Sequence, residues 1–339
     1  MKKLLLVRND KLGDFMLAWP AFALLKQSAP DWHLTALVPA YTAPLAKICP
    51  YIDEVIIDTK DKVEMLKIIN IAQFDAVINF FSNTYNASLM FKARIPFRMA
   101  PATKIIQFLY NHRVVQRRSQ SAKPEFVYNM DLARAFLEKQ NIAPKEPKSP
   151  YLQFSPDVIS QQKDKLSTSL RITQNLPWIF VHAGSGGSAN NLTLEQYAHL
   201  ITQIQKEIHC VVILSAGPAE IEKIKQLYTL LTHQKNIVIY DKNDGLTDFA
   251  QSLACASIFI AGSTGPLHIC GALNIPTIGF YPSKRSATPL RWQPINEENR
   301  HLAFAAKEGK ATEDDLTSID MEKVIKESMP FIRQWCSFI

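Results

Sequence analysis

Acidic side chains are missing from one long stretch of this 339-residue chain. Between Ala76 and Pro124 there is no Asp or Glu, yet Lys92, Arg94, Arg98, Lys104, Arg113, Arg117, Arg118 and Lys123 all fall there. The net charge of +7 is therefore unevenly placed. A basic surface of this kind either invites phosphates, anionic sugars, nucleic acid or an acidic membrane face, or is simply solvated. Zinc-finger spacing and RNP-type aromatic motifs are absent, so no nucleic-acid partner is expected. No apolar run approaches the roughly 18 residues of a membrane span. Cys49, Cys210, Cys255, Cys270 and Cys336 are scattered, with no C-x-x-C pair. They read as thiols in a reducing compartment, not as disulfides or a zinc site. No His/Asp/Cys cluster has ligand spacing, and no metal is expected. The opening MKKLLLVRND is too soon interrupted by Arg8, Asn9 and Asp10 for a signal peptide and reads as a first strand. A cytoplasmic enzyme or binding protein is the expectation.

Two further absences narrow the chemistry. The loop RNDKLGD after the first strand holds one glycine, where a G-x-G-x-x-G dinucleotide fingerprint needs three, which disfavours a nicotinamide dehydrogenase. The loop HAGSGGSANN lacks the Gly-Lys-Ser/Thr ending of a Walker loop.

What is present is a repeated alternation of short apolar runs and amphipathic stretches, in a chain that is 47% apolar. Strands are expected at Leu4–Val7, His33–Val38, Glu54–Asp58 and Ala76–Asn79, with helices at Phe15–Gln27, Tyr41–Ile48 and Lys60–Ile71 between them. Ala87–Asn129 reads as irregular, basic and aromatic, and Met130–Lys139 as a helix. Ala143–Pro156, with Pro144, Pro147, Pro150 and Pro156, reads as a linker. The pattern then restarts with strands at Trp178–His182, Cys210–Ser215 and Ile237–Tyr240 and helices at Thr193–Ile208, Glu220–Leu231 and Leu246–Cys255. It closes on IAGSTGPLHICGALNIPTIGFYP, which is strand, glycine turn, helix, strand. Such alternation predicts parallel βαβ units in an α/β fold. Two domains are expected, 1–150 and 151–318, with a tail helix in 319–339 returning to the first domain.

Four loops that follow strands carry unusual residues, and ligands bind at the carboxyl ends of strands in open α/β sheets. In RNDKLGD, Gly13 suits a sharp turn and Asp14 then sits near a helix start, where the dipole favours its charge. Asp14 is either a general base toward a hydroxyl or an ordinary first-turn acid; Asp10 is the competitor. In HAGSGGSANN, Gly184, Ser185 and Ser188 expose amides and hydroxyls suited to a phosphate, unless the loop is merely flexible. In SAGPAE, Glu220 either meets ribose hydroxyls or caps its own turn. In the closing stretch, Thr264, Gly265 and His268 stand at a helix amino end that suits an anion, unless it is a plain tight turn. Lys284, Arg285 and Arg291 follow it and could neutralise a leaving diphosphate or stay solvated.

These motifs, in this order, resemble glycosyltransferase family nine, the bacterial ADP-heptose heptosyltransferases of lipopolysaccharide core assembly. RNDKLGDFMLAWPAFALLK resembles the family's first strand–loop–helix. VHAGSGGSANNLTLEQYAHL, SAGPAE and AGSTGPLHICGALNIPTIGFYP resemble its nucleotide-domain motifs. The resemblance covers nearly the whole chain and is weakest in 87–156. It implies a GT-B fold, two Rossmann-like domains facing across a cleft, and inverting transfer without a metal or other cofactor. By the same resemblance Asp14 is the base. Gly184, Ser185, Ser188, Thr264, Gly265, His268, Lys284 and Arg285 hold the donor diphosphate, Glu220 the ribose, and backbone near Asp244–Leu246 the adenine. Arg8, Lys11, Arg94, Arg117 and Arg118 are assigned to the acceptor. The expected partners are an ADP-heptose donor, an anionic Kdo-lipid A or inner-core acceptor, and the cytoplasmic face of the inner membrane. Two departures bear on the donor: Asn190 and Asn191 stand where family members often carry basic residues, and Ser263 replaces an acid. The alternatives are a related transferase with another nucleotide-sugar or a protein or glycan acceptor, and a non-catalytic nucleotide-sugar binder.

Overall fold

The computed structural model describes residues 1–103, 105–184 and 190–336. Contacts divide the chain into two units, Met1–Tyr151 and Leu152–Ile339.

The first unit is a six-stranded sheet formed by β1 (Lys2–Val7), β2 (Trp32–Val38), β3 (Glu54–Ile57), β4 (Ala76–Asn79), β5 (Phe97–Pro101) and β6 (His112–Val114). Its order is β3-β2-β1-β4-β5-β6, and every neighbouring pair is parallel. β1 lies at the centre, with Leu4 opposite Leu34 on one side and Ala76 on the other. Flanked on both sides by strands, Leu4–Val7 form one continuous apolar run with no solvent face. The helices Trp19–Ser28 and Glu125–Lys139 pack together, the second of them also against β4 and β5. Pro20 stands in the first turn of the former, where its missing N–H costs nothing. Trp32 and Phe136 meet edge to face at 5.1 Å, and Phe22 and Phe80 at 5.4 Å.

The second unit repeats the design with β7 (Trp178–His182), β8 (Val211–Ser215), β9 (Ile237–Tyr240), β10 (Ile258–Gly262), β11 (Thr277–Tyr281) and β12 (His301–Ala305). The order is β12-β11-β10-β7-β8-β9, again parallel throughout. Counted from the first strand of each unit, both sheets have the doubly wound order 3-2-1-4-5-6. Tyr197, Leu200, Ile201 and Ile204 on the helix Leu194–Glu207 cover one face of this sheet. Among the described residues no helix is long and apolar enough to cross a membrane, and all five cysteines are free thiols.

Three expectations need correction. The stretch 87–129 is not irregular: it holds most of the helix Thr84–Lys92 together with β5 and β6. Those strands are too short and too interrupted by Arg, His and Pro to show an apolar period. β12 goes unread for the same reason. The closing helix Met321–Cys336 packs within the second unit. Its buried stripe, Val324, Met329 and Ile332, joins the same apolar cluster as Leu200 and Ile204. The proline-rich segment is not a loose tether either. Ser28 Oγ accepts from Lys145 N–H at 2.8 Å, Arg134 grips Glu146, and Ala272 O accepts from Leu152 N–H at 3.0 Å.

If the closing helix is an integral part of the second unit, Ile332→Ala should cost about 2–5 kcal/mol. Urea unfolding of the full chain, followed by far-UV circular dichroism, reads this directly. A loss below about 1 kcal/mol would show that the stripe carries little of the packing.

Candidate active site

In both sheets the first and fourth strands lie side by side, and the connections leaving them run to opposite sides. Such a switch point opens a crevice at the carboxyl ends of the strands. In the first unit it falls between β1 and β4, beside the loop that begins at Arg8. In the second it falls between β7 and β10, beside the loops that begin at Ala183 and Ser263.

At the first switch point a buried guanidinium organises everything. Arg8 follows the last residue of β1 and is 3% exposed. Its Nε lies 2.9 Å from Asp10 Oδ1, its Nη2 contacts Asp14 Oδ1, and its Nη1 is 3.7 Å from Glu125 Oε1. Nη1 also donates to Phe80 O at 3.0 Å, tying β1 to the residue after β4. Burial opposes the charge, but Asp10, Asp14 and Glu125 together hold the Arg8 pKa above its ordinary value. Burial pushes Asp10 up, to about 6, against the pull of Arg8; Asp14 and Glu125 add to the rise. Glu125 is bridged in turn by Arg118 at 2.5 Å. Beneath this layer Asn9 and Asn86 exchange amide hydrogen bonds at 2.7 and 2.9 Å, and Asn9 donates to Asp58. Asp58 also accepts from Lys60 at 2.6 Å and Tyr85 at 2.8 Å.

Asp14 sits in the first turn of the helix Leu12–Met16, with its side chain 17% exposed. Gly13 lies inside that turn and not at a left-handed bend. The structure thus brings Arg8, Asp14 and Arg118 together. Arg8 is buried among its carboxylate partners, and Arg118 is paired with Glu125 and Gln116. Lys11 and Arg117 are exposed. Arg94 stands just before β5, hence at the amino edge of a parallel sheet whose carboxyl edge carries Asp14. Its neighbours are Phe91, Lys92 and Arg98, so the structure does not bring it together with Asp14.

At the second switch point the loops are laced by side chains. Asn191 Nδ2 donates to Ala183 O and Gly184 O, each at 2.9 Å, and Asn191 Oδ1 accepts from Tyr197 at 2.5 Å. That oxygen occupies the space where a Cβ on Gly262 would lie, 2.8 Å away. Gly184 makes room for Glu220, whose carboxylate would lie 2.1 Å from a Cβ there. Glu220 Oε2 accepts from Gly217 N–H at 3.0 Å and is 3.4 Å from His182 Nε2. Burial holds the His182 pKa down, with Glu220 pulling the other way. Thr264 precedes the helix Gly265–Ala272, and its Oγ1 is buried with no hydrogen-bond partner among the described residues. A lone hydroxyl costs free energy there unless something accepts from it or donates to it. His268 lies buried one turn further on.

The cations are less concentrated than the sequence suggests. Lys284 pairs with Asp314 at 2.6 Å, Arg285 is exposed, and Arg291 is buried with its guanidinium 5.6 Å from the Trp292 ring centre. Asp244 pairs with Lys165 at 2.6 Å just before Leu246 opens the helix Leu246–Ala254. Ser185 and Ser188 lie outside the described residues. Among the described residues no three His, Cys, Asp or Glu side chains form a metal-binding group.

Sequence reading missed Glu125, Asn9, Asn86, Asp58 and the structural use of Asn191. A signal existed for Glu125: it is the first acid after the acid-free stretch, in a region otherwise rich in arginine.

The buried carboxylate gives a stability test with a definite sign. Unfolded, Asp10 loses its proton near the ordinary pKa of 3.8; folded, it keeps it to about 6. Across that window the native chain binds the extra proton, so stability declines as pH rises. Asp10→Asn should flatten the decline between about pH 4 and 6 in chemical denaturation. An unchanged slope would show that Asp10 ionises as freely in the native state as in the unfolded one.

Comparison with known proteins supplies the context. A Haemophilus influenzae protein, provisionally named a glycosyltransferase, is 54% identical over 338 residues, covering 98% of this chain and 97% of its own. Escherichia coli ADP-heptose lipopolysaccharide heptosyltransferase II superposes with a TM-score of 0.79 at 19% identity, over 98% of this chain and 99% of that one. Escherichia coli heptosyltransferase WaaC with ADP gives 0.73 at 17% identity, over 97% and 99%. These likenesses show the GT-B fold. The sequence profile of glycosyltransferase family 9 (heptosyltransferase) matches residues 64–319, and the chain belongs to that family of glycosyltransferases.

Proposed function

We propose that this glycosyltransferase moves heptose from ADP-L-glycero-D-manno-heptose to a Kdo or inner-core sugar of lipopolysaccharide, with inversion at the anomeric carbon. The observation that carries the reading is the placement of Asp14. It stands at the carboxyl end of β1, at the switch point, oriented through Oδ1 by a buried arginine and still reachable from solvent. In the proposed step the acceptor hydroxyl oxygen attacks the anomeric carbon while its proton passes to Asp14. The bond from that carbon to the β-phosphate oxygen breaks, and ADP leaves with the electron pair. Exposed Lys11 and Arg117 steer the anionic acceptor.

The second unit takes the donor. Thr264 Oγ1, the Gly265 N–H in the open first turn, and Gly184 form the diphosphate cradle, with His268 behind it. Anions are favoured at such a helix start because its amides and dipole face them. Arg285, together with Lys284 once released from Asp314, offsets the charge of the leaving diphosphate without a metal. Glu220 meets the ribose by exchanging its contact with Gly217, and backbone at Asp244–Leu246 meets the adenine. The ADP in WaaC supports an adenine nucleotide as the leaving group. A cytoplasmic placement agrees with five free thiols.

ADP release in the presence of ADP-heptose and Kdo-lipid A tests the reading. Asp14→Asn should lower kcat by about 10²–10⁴ and leave ADP affinity near that of the parent; turnover within tenfold of the parent removes Asp14 as base. Thr264→Val should weaken ADP binding by roughly tenfold, as expected for one hydrogen bond to a charged group. Turnover of a different nucleotide-sugar, with none of ADP-heptose, overturns the donor assignment.

A further inference from the structure

Behind Glu220 stands a buried histidine at the end of a central strand. His182 is the last residue of β7 and Ser215 the last of the neighbouring strand β8, and both are buried. Ser215 Oγ lies 3.1 Å from His182 Nδ1 and 3.5 Å from Val181 O, so the ring nitrogen is its nearer acceptor. Phe259 stacks on the imidazole with 6.5 Å between ring centres, which restrains the ring's tilt. On the opposite side Nε2 is 3.4 Å from Glu220 Oε2. Burial favours the neutral imidazole, which has one N–H and one lone pair. A carboxylate oxygen accepts, so the proton belongs on Nε2, and Nδ1 receives the Ser215 hydroxyl. The tautomer is thus fixed from behind, at the ends of two strands, and Glu220 is the group it addresses.

Glu220 reaches back from the loop after β8 onto the loop after β7, where its carboxylate occupies the space that a Cβ on Gly184 would need. Its contact with Gly217 N–H is local to its own turn, and is the one exchanged for ribose in the proposed donor site. The contact with His182 comes from another strand and survives that exchange. We propose that His182 is a positioning residue for nucleotide recognition: its Nε2–H holds Glu220 across Gly184, aimed to accept from a ribose hydroxyl, and so makes the site prefer a ribonucleotide to a deoxyribonucleotide. This rests on Glu220 being the ribose-binding acid of the proposed donor site. Without the histidine, the glutamate side chain regains its rotamers. Ordering it again on binding then costs an amount comparable with what one hydroxyl contact yields.

Calorimetric titration of the full chain with ADP, 2′-deoxy-ADP and 3′-deoxy-ADP tests it. The parent should bind ADP at least roughly tenfold more tightly than one of the two deoxy analogues, as a hydrogen bond to a charged group supplies. His182→Asn is too short to reach Glu220 and His182→Leu has nothing to donate. Each should reduce that ratio to about two or less and leave affinity for the deoxy analogue near that of the parent. His182→Gln, whose amide nitrogen can stand where Nε2 stands, should restore the ratio to about five or more. Thermal unfolding identifies the folded variants, and either removal suffices if the other does not fold. A ratio unchanged by the removals, equal weakening of ADP and both analogues, or a His182→Gln ratio no better than that of His182→Asn makes the histidine a packing residue only and overturns the proposal. Glu220→Gln distinguishes this from a failed ribose assignment. If Glu220→Gln also leaves the ratio untouched, or the parent shows no preference for ADP, the assignment of Glu220 falls and the proposal with it. If Glu220→Gln abolishes a ratio that the histidine removals keep, the proposal alone is overturned.

Discussion

Burying one guanidinium constrains the whole first unit. Arg8 is forced inward because it continues a central strand, and a buried cation must be matched by anions and by hydrogen-bond acceptors. Asp10 and Asp14 come from its own loop, Glu125 from a helix more than a hundred residues later, and a carbonyl from the turn after β4. The loop cannot shift without leaving a charge unpaired. A carboxylate held in this way keeps its direction without help from a substrate, which is what a base must do if it is to meet a hydroxyl already aimed. The network also sets a condition on its own members: Arg118 serves Glu125, but Asp10 and Asp14 share Arg8 alone among the arginines, and the more buried of the two, Asp10, bears the imbalance.

The second unit solves a related problem with a side-chain amide at the centre of its loops. Its loops must leave amides open to a ligand and yet hold still. Asn191 does the holding, through two carbonyls and the Tyr197 hydroxyl, and Gly262 and Gly184 leave the space that Asn191 and Glu220 fill. This gives Asn191 a structural occupation at a place where family members often carry a cation. In the proposed donor site the positive charge for a diphosphate then comes from elsewhere: Arg285 and Lys284 stand on the loop after β11, and Lys284 is paired with Asp314 from beyond β12.

Much of this was legible from residue order. Continuous apolar runs such as Leu4–Val7 and Trp178–His182 are unmistakable because a parallel strand has no solvent face. Gly-Asp and Ser-Thr-Gly-Pro-Leu-His announced both switch points, since only small residues and a helix-starting proline suit those turns. What escaped was decided by contacts remote in sequence. β6, at the edge of its sheet, needs only three residues and carries His and Arg, so no period marks it. The closing helix has an apolar stripe that could suit any apolar surface; only the exposed face of Leu194–Glu207 decides where it lies. The burial of Arg8 could not be read locally, because its partner Glu125 lies more than a hundred residues along the chain. Arg94, before β5, and Arg117, after β6, lie at opposite edges of the sheet, a separation that nearness in sequence hides.

The two units repeat one winding order, and each closes its own apolar core on its own side of the Tyr151–Leu152 boundary. That makes the chain modular in a practical sense. A cut at this junction divides neither sheet, so strands and loops on either side of it can vary without breaking the other unit's hydrogen-bond ladder.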